Sequence, residues 1–146
     1  MSYDDSVAES LESMAARLNS PQTPDNFVLG AFDDNLVGMV GFVHKQGQKV
    51  QHTGYIWGMY VTREAAGHGI GRALIEQALA EAHRLPAVEQ VTLAVVSTNE
   101  AARQLYQSLG FKTYGVEPHT LKVGGKYFDE ELMMLRWTSD GFGTIA

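Results

Sequence analysis

Gly67, Gly69 and Gly71 alternate between a strand-like run, Tyr55 to Val61, and a helix-like run, Ile70 to Arg84. Glycine reaches positive φ and carries no Cβ, so successive main-chain N–H groups in such a stretch can turn toward one anion. A helix starting at Ile70 would add its unpaired N-terminal donors and the positive end of its dipole. The chemistry on offer is retention of a phosphate group. A tight strand-to-helix connection explains the same glycines with no ligand at all, so the cluster alone does not decide. Metal chemistry is not expected: the chain has no cysteine, and histidines 44, 52, 68, 83 and 119 show no ligand spacing with carboxylates.

Bulk properties bound the answer. A chain of 146 residues, 45% of them hydrophobic, is long enough for one domain with a core of its own, and a single domain spanning 1–146 is expected. No run approaches the ~18 apolar residues of a membrane span, and the start, Met1 to Leu18, lacks the charged-then-apolar order of a secretory signal. No membrane association and a cytoplasmic location are therefore expected. A net charge of −6 argues against a nucleic-acid partner. It suits a cationic, amine-bearing substrate, although solubility alone explains the same charge.

The elements that must hold the glycine loop follow from periodicity. Val7, Leu11, Met14 and Leu18 recur at helical spacing behind a Ser6/Glu9 capping box, predicting a helix from Ser6 to Leu18. Beyond Pro21 and Pro24, the runs Phe27 to Phe32 and Leu36 to Val43 flank Asp33-Asp34-Asn35 as a β-hairpin. A loop, His44 to Thr53, leads to the strand Tyr55 to Val61, where Gly58 predicts a bulge or a close backbone approach. The helix from Ile70 carries Ala73, Leu74, Ala78 and Leu85 on one side, widened by Ile75, Leu79 and Ala82, and should lie on the sheet. Val91 to Val96 is a continuous apolar run, the mark of a strand covered on both faces. Ser97 with Glu100 offers a second capping box for a helix running to Ser108, and Gly110 suits the left-handed position that ends it. Strands at Phe111 to Val116 and Tyr127 to Arg136 follow, then a polar tail from Thr138 to Ala146.

Taken together, Gly67-x-Gly69-x-Gly71 after one strand and Asn99-x-x-Ala102-x-x-Leu105-Tyr106-x-x-Leu109-Gly110-Phe111 after the next resemble the GNAT superfamily of acetyl-CoA-dependent N-acetyltransferases. The second motif is the more specific, and the resemblance covers roughly Val28 to Leu135. It implies an α/β (α+β) fold: a mixed, mostly antiparallel twisted sheet flanked by helices. It also implies that the family's fourth and fifth strands, Tyr55 to Val61 and Val91 to Val96 here, splay apart to admit acetyl-CoA.

Carried over by position, the resemblance puts the pyrophosphate on the main-chain N–H groups of Gly67, His68, Gly69, Ile70, Gly71 and Arg72. It pairs the pantetheine amides with the backbone of Met59 and Val61, and it brings Asn99 to the cofactor, where a helix cap is the alternative role. Tyr106 becomes the general acid for the departing thiolate, since a phenol of pKa about 10 can hold and protonate the anion of a thiol of pKa about 8.5. Packing against Leu105 and Leu109 is the other reading of that ring. The main-chain N–H of Met59 would hold the oxyanion. For the base, Glu117 is the leading candidate, with His52 and His44 on the loop before the fourth strand.

Two departures matter. Ala66 stands where the family motif usually has Arg or Gln, leaving the pyrophosphate to backbone donors, His68 and Arg72. The family's first strand has no counterpart before Ser6, and the sheet edge this uncovers would be filled by a partner chain or by residues missing from the start; a homodimer is expected. The expected activity is transfer of acetyl from acetyl-CoA to a primary amine of a small molecule or protein. A non-catalytic acyl-CoA-binding or sensing module of the same fold is the alternative. A Rossmann or P-loop nucleotide site fails locally, because Arg72 stands where a small residue is required and no Gly-Lys-Ser/Thr follows.

Overall fold

The computed structural model of the chain describes Thr23 and residues 25–137. The helix expected over Ser6 to Leu18, the expected absence of a first strand and the tail from Thr138 lie outside the described residues. Internal contacts group the chain into two compact units, Met1–Val88 and Glu89–Ala146.

In the first unit, β1 (Asn26–Asp33) and β2 (Asn35–His44) form an antiparallel hairpin turning on Asp34, at φ 62°. Aspartate is among the few residues that tolerate this left-handed conformation, because its short side chain can bond the local backbone. Strand β3 (Thr53–Val61) pairs antiparallel to β2. Phe27 and Phe42 stack across the hairpin at 4.9 Å, and both are buried with Val40 and Ile56. Helix α1 (Ile70–His83) buries Leu74, Ile75, Ala78 and Ala82. A Cβ built on Gly38 of β2 would stand 3.1 Å from both Ile70 and Leu74, so the helix lies close on that face of the hairpin. Ala73, expected within the stripe, is exposed, because the buried face is centred on Ile75 and Ala78 instead.

The second unit orders its strands differently from the chain. Strand β4 (Gln90–Val96) leads into helix α2 (Glu100–Ser108), then β5 (Lys112–Val123) and β6 (Lys126–Arg136). The last strand, β6, pairs antiparallel to both β4 and β5. Val91, Leu93 and Val95 oppose Leu135, Met133 and Glu131, and Tyr106 and Phe111 join the three valine and leucine side chains and Met133 in the core.

β5 is twice the expected length. Pro118 falls in a register shift between Glu117 and Leu121, where His119 takes φ 53° and its N–H bonds Asp129 Oδ1 at 2.8 Å. A bulge of this kind absorbs a proline without ending the strand.

Candidate active site

Helix α2 is built to present one side chain. Asn99 caps it, its Oδ1 accepting from Ala102 N–H at 3.2 Å. Ser97, the expected cap, lies two residues too early: Asn99 N–H bonds Val96 O at 2.9 Å, so a turn separates the strand end from the helix. At the other end Leu109 is the last residue with helical dihedrals, and Gly110 takes φ 102°. Phe111 N–H then bonds Tyr106 O at 3.0 Å and Gly110 N–H bonds Gln107 O at 3.0 Å. These two bonds are the Schellman closure, and the accompanying apolar contact is the edge-to-face pair of Tyr106 and Phe111, 5.9 Å between centroids. The Leu109-Gly110-Phe111 end of the motif therefore closes the helix on the tyrosine itself.

Tyr106 is 5% exposed, the one buried residue of α2. Burial alone pushes its phenol up to about 12, and among the described residues its hydroxyl has no hydrogen-bond partner. The group stays a proton donor across the physiological range. One turn earlier, Arg103 reaches from α2 to β6 and grips Glu131 with both Nε and Nη2, the second at 3.3 Å, while Nη1 bonds Glu100 Oε2 at 2.7 Å. Neither Arg103 nor Glu131 stood out in the sequence. The available signal was Arg103 standing between Asn99 and Tyr106 in a helix with few apolar residues. Asp129, Glu130 and Glu131 lie inside β6, and the turn before that strand is made by Gly124 and Gly125.

In the first unit, the chain leaves β3 with Thr62 N–H bonded to Val37 O at 2.8 Å, then makes two successive turns, Thr62 to Ala65 and Arg63 to Ala66. Gly67 and Gly69 follow at φ 84° and 77°, in the left-handed region. Gly69 is the residue before α1, no side chain caps that helix, and no acidic residue stands in its first turn. The first helical bond is Ala73 N–H to Gly69 O at 3.0 Å, so the N–H groups of Ile70 and Gly71 precede the ladder. Among the described residues, a Cβ at either Gly67 or Gly69 would meet nothing within 4 Å. An open, uncapped, acid-free helix start behind two left-handed glycines fits a pyrophosphate held by main-chain donors. Gly71 differs from the other two in being helical. His68 is exposed and lines a cleft of about 490 Å³ with Asp33, Asn35, Thr62 and Glu64, and Arg72 pairs with Glu76 at 3.3 Å.

The bulge expected in β3 is present. Met39 pairs with Tyr60 and Gly41 with Trp57, so Gly58, at φ 64°, and Met59 together oppose the single residue Val40. Val61 is the last residue of the strand and pairs with Gly38. Met59 and Val61 are half-buried.

The proposed bases divide. Glu117 is exposed and lies within β5, opposite Glu130 of β6, so two carboxylates face each other across strands. His52 is half-buried on the loop before β3. His44 is engaged at both ring nitrogens, Nδ1 with Asp25 Oδ1 at 2.8 Å and Nε2 with Gln51 O at 2.6 Å. Both partners are acceptors, so only the imidazolium satisfies both. Desolvation lowers the His44 pKa, but the Asp25 hydrogen bond, the Gln51 carbonyl and the Asp25 charge together outweigh it and leave the value raised. A ring held in this way has no lone pair to offer a substrate. Among the described residues no helix is long and apolar enough to cross a membrane.

Residues 3–111 match the profile of the Acetyltransferase (GNAT) family, which is most of the chain and includes both motifs. The chain belongs to that family. It is 37% identical over 98 residues to N-alpha-acetyltransferase 40 of Saccharomyces cerevisiae, an overlap of 60% of this chain but 34% of the yeast protein, so it spans about a third of that relative's length. Among solved structures, a GNAT-family acetyltransferase of Streptococcus pneumoniae superimposes with TM-score 0.74 at 26% identity, covering 89% of this chain and 77% of the other. The yncA protein of Salmonella typhimurium, solved with its cofactor acetyl-CoA, gives TM-score 0.68 at 22% identity over 93% of this chain and 74% of its own. The fold is accordingly the GNAT fold: a mixed α/β chain with six mostly antiparallel strands and flanking helices.

Proposed function

We propose that this GNAT protein transfers the acetyl group of acetyl-CoA directly to a primary amine, with an α-amino group of a peptide or protein as the favoured acceptor. The observation that carries the transfer chemistry is Tyr106: buried, its hydroxyl without a partner among the described residues, its phenol raised to about 12 and its ring fixed by a helix closure built around it. Acetyl-CoA supplies a thioester that releases a thiolate when an amine displaces it. Tyr106 donates its O–H to that sulfur as charge develops. In water the full proton transfer from a phenol of about 10 to a thiolate of about 8.5 would be uphill by roughly 2 kcal/mol. The site that raises the phenol also raises the sulfur, so the hydroxyl serves as a hydrogen-bond donor first and a proton source as the bond to carbon breaks.

The remaining roles follow the family assignment. The main-chain N–H groups of Gly67, His68, Gly69, Ile70, Gly71 and Arg72 hold the pyrophosphate, and Ala66 leaves that task to the backbone. The backbone of Met59 and Val61 pairs with the pantetheine arm, and the Met59 N–H faces the carbonyl oxygen. Asn99 contacts the cofactor while capping α2. Glu117, directly or through water, takes the proton of the amine. The two units act as one acetyltransferase domain, a reading supported by the family match running through both. A homodimer and a cytoplasmic location remain part of the proposal.

Proton bookkeeping favours an α-amine over a lysine side chain. An α-amino group of pKa near 7.8 is about one-third neutral at pH 7.5, whereas a lysine amine near 10.4 is neutral only to about 0.1%. With His44 engaged and Glu117 exposed, a substrate that is already largely deprotonated makes the smaller demand. The yeast relative's own designation as an N-alpha-acetyltransferase points the same way. The test is a radiolabelled acetyl-transfer assay with matched peptides bearing either a free α-amine or a blocked N-terminus and one lysine. Transfer only to the free α-amine supports the proposal. Equal or exclusive transfer to lysine rejects the acceptor assignment.

A further inference from the structure

Nine residues make α2 shorter than the about 12–15 that an isolated helix needs in water, and it buries a single side chain, so tertiary contacts must hold it in place. Arg103 makes the most directional of those contacts. Its Nε and Nη2 fork onto the two carboxylate oxygens of Glu131, while Nη1 ties back to Glu100 on the first turn of the same helix. Glu131 sits on the middle strand of the second unit, register-paired with Val95 of β4 and Val116 of β5. A planar fork on a carboxylate specifies rotation as well as distance, which a lysine ammonium cannot do. Tyr106 is one turn beyond Arg103 on the same helix, where residues three apart are neighbours.

We propose that Arg103 is a positioning residue for acetyl transfer: its bidentate grip on Glu131 sets the rotation and depth of α2 and thereby fixes where the Tyr106 hydroxyl stands. Its effect on the reaction passes through Tyr106 and rests on the reading of that residue as the donor to the leaving thiolate.

Arg103→Lys keeps the charge and the aliphatic stem and removes the fork. In the full chain, kcat should fall about ten- to a hundredfold, as small misplacements of reacting groups do, while the Kd for acetyl-CoA moves less than about threefold. In a Tyr106→Phe background the same substitution should change kcat less than about threefold, because the group being positioned is gone. Full multiplication of the two effects would overturn the proposal, since a general loss of structure multiplies. Arg84→Met removes a 75% exposed arginine paired with Glu81 at 3.6 Å and should leave kcat unchanged.

A second readout does not need activity. The Tyr106 ring resonances, assigned from Tyr106→Phe, feel the Phe111 ring at 5.9 Å and should shift in Arg103→Lys. If Arg103→Lys does not fold, Glu131→Gln, nearly isosteric, takes its place in every arm. Shifted ring signals in a protein that transfers no acetyl would reject the acetyltransferase reading and uphold the positioning. Unmoved ring signals would overturn the positioning whatever the activity.

Discussion

Replacing Gly69 with valine separates a loop that binds through its backbone from one that is merely a turn. Gly69 sits at φ 77°, ψ 10°, and the left-handed region costs an L-residue about 1–2 kcal/mol, more when the side chain is β-branched. Among the described residues no clash adds to this, because a Cβ there meets none of their atoms within 4 Å. If valine keeps the native φ, the melting temperature should fall by about 2–8 °C for a chain of this size. If the loop relaxes to negative φ, stability is nearly kept and the N–H groups of Ile70 and Gly71 turn away. In both cases the new side chain occupies the open space from which an anion would approach. Losing two charge-assisted bonds at about 1.5 kcal/mol each corresponds to a loss of roughly a hundredfold in affinity for acetyl-CoA. Isothermal titration on the purified variants reads this directly. Gly69→Asn, which tolerates the left-handed region, should lose about tenfold or less, and His68→Ala less than about threefold. Near-native affinity in Gly69→Val, or a severe loss in His68→Ala, would refute the backbone account of this loop.

Three further outcomes are expected. The His44 pKa is raised in the folded protein, so its contribution is fully present below the unfolded value near 6.5 and is lost as pH rises through the folded value; the stability advantage of the wild type over His44→Gln in urea should therefore shrink from pH 5.5 to 8.5, and an advantage that grows with pH would contradict the imidazolium clamp. Asn99→Ala removes the α2 cap and should cost about 1 kcal/mol in chemical denaturation, against no change if Ala102 N–H finds water equally well. Gly110→Ala forces a Cβ to 3.1 Å from Leu135 Cδ1 at φ 102° and should cost about 1–2 kcal/mol or more, measured the same way, with a shift of the Tyr106 ring resonances that a remote surface substitution would not produce.

Local chemistry was readable in the sequence and distant pairing was not. The hairpin of β1 and β2, the start of α1 at Ile70 and the stop at Gly110 follow from alternation, helical period and turn residues, all of which act over a few positions. Even the β3 bulge was legible, because a glycine in a strand interior has few other uses. Asn99 displaced Ser97 as the cap because both residue types can cap, and only the turn after Val96 decides which of them the helix meets first. Arg103 and Glu131 stand 28 residues apart, and His44 and Asp25 stand 19 apart, so no spacing rule joins either pair. The continuation of β5 past Val116 was hidden for a related reason: the bulge that absorbs Pro118 is anchored by Asp129 on the neighbouring strand. At the candidate site, the order of glycines and the tyrosine motif carried the family, while the state of each group, such as the burial of Tyr106 and the engagement of His44, needed the fold.

The most direct test of the central claim is acetyl transfer itself, measured with labelled acetyl-CoA and a peptide bearing a free α-amine, for the wild type and Tyr106→Phe side by side with their affinities for acetyl-CoA. The account predicts transfer by the wild type, a fall in kcat of about a hundredfold or more in Tyr106→Phe, as for loss of a positioned acid, and unchanged cofactor affinity. Wild-type protein that binds acetyl-CoA but acetylates no amine, or a Tyr106→Phe variant as fast as the wild type, would contradict it.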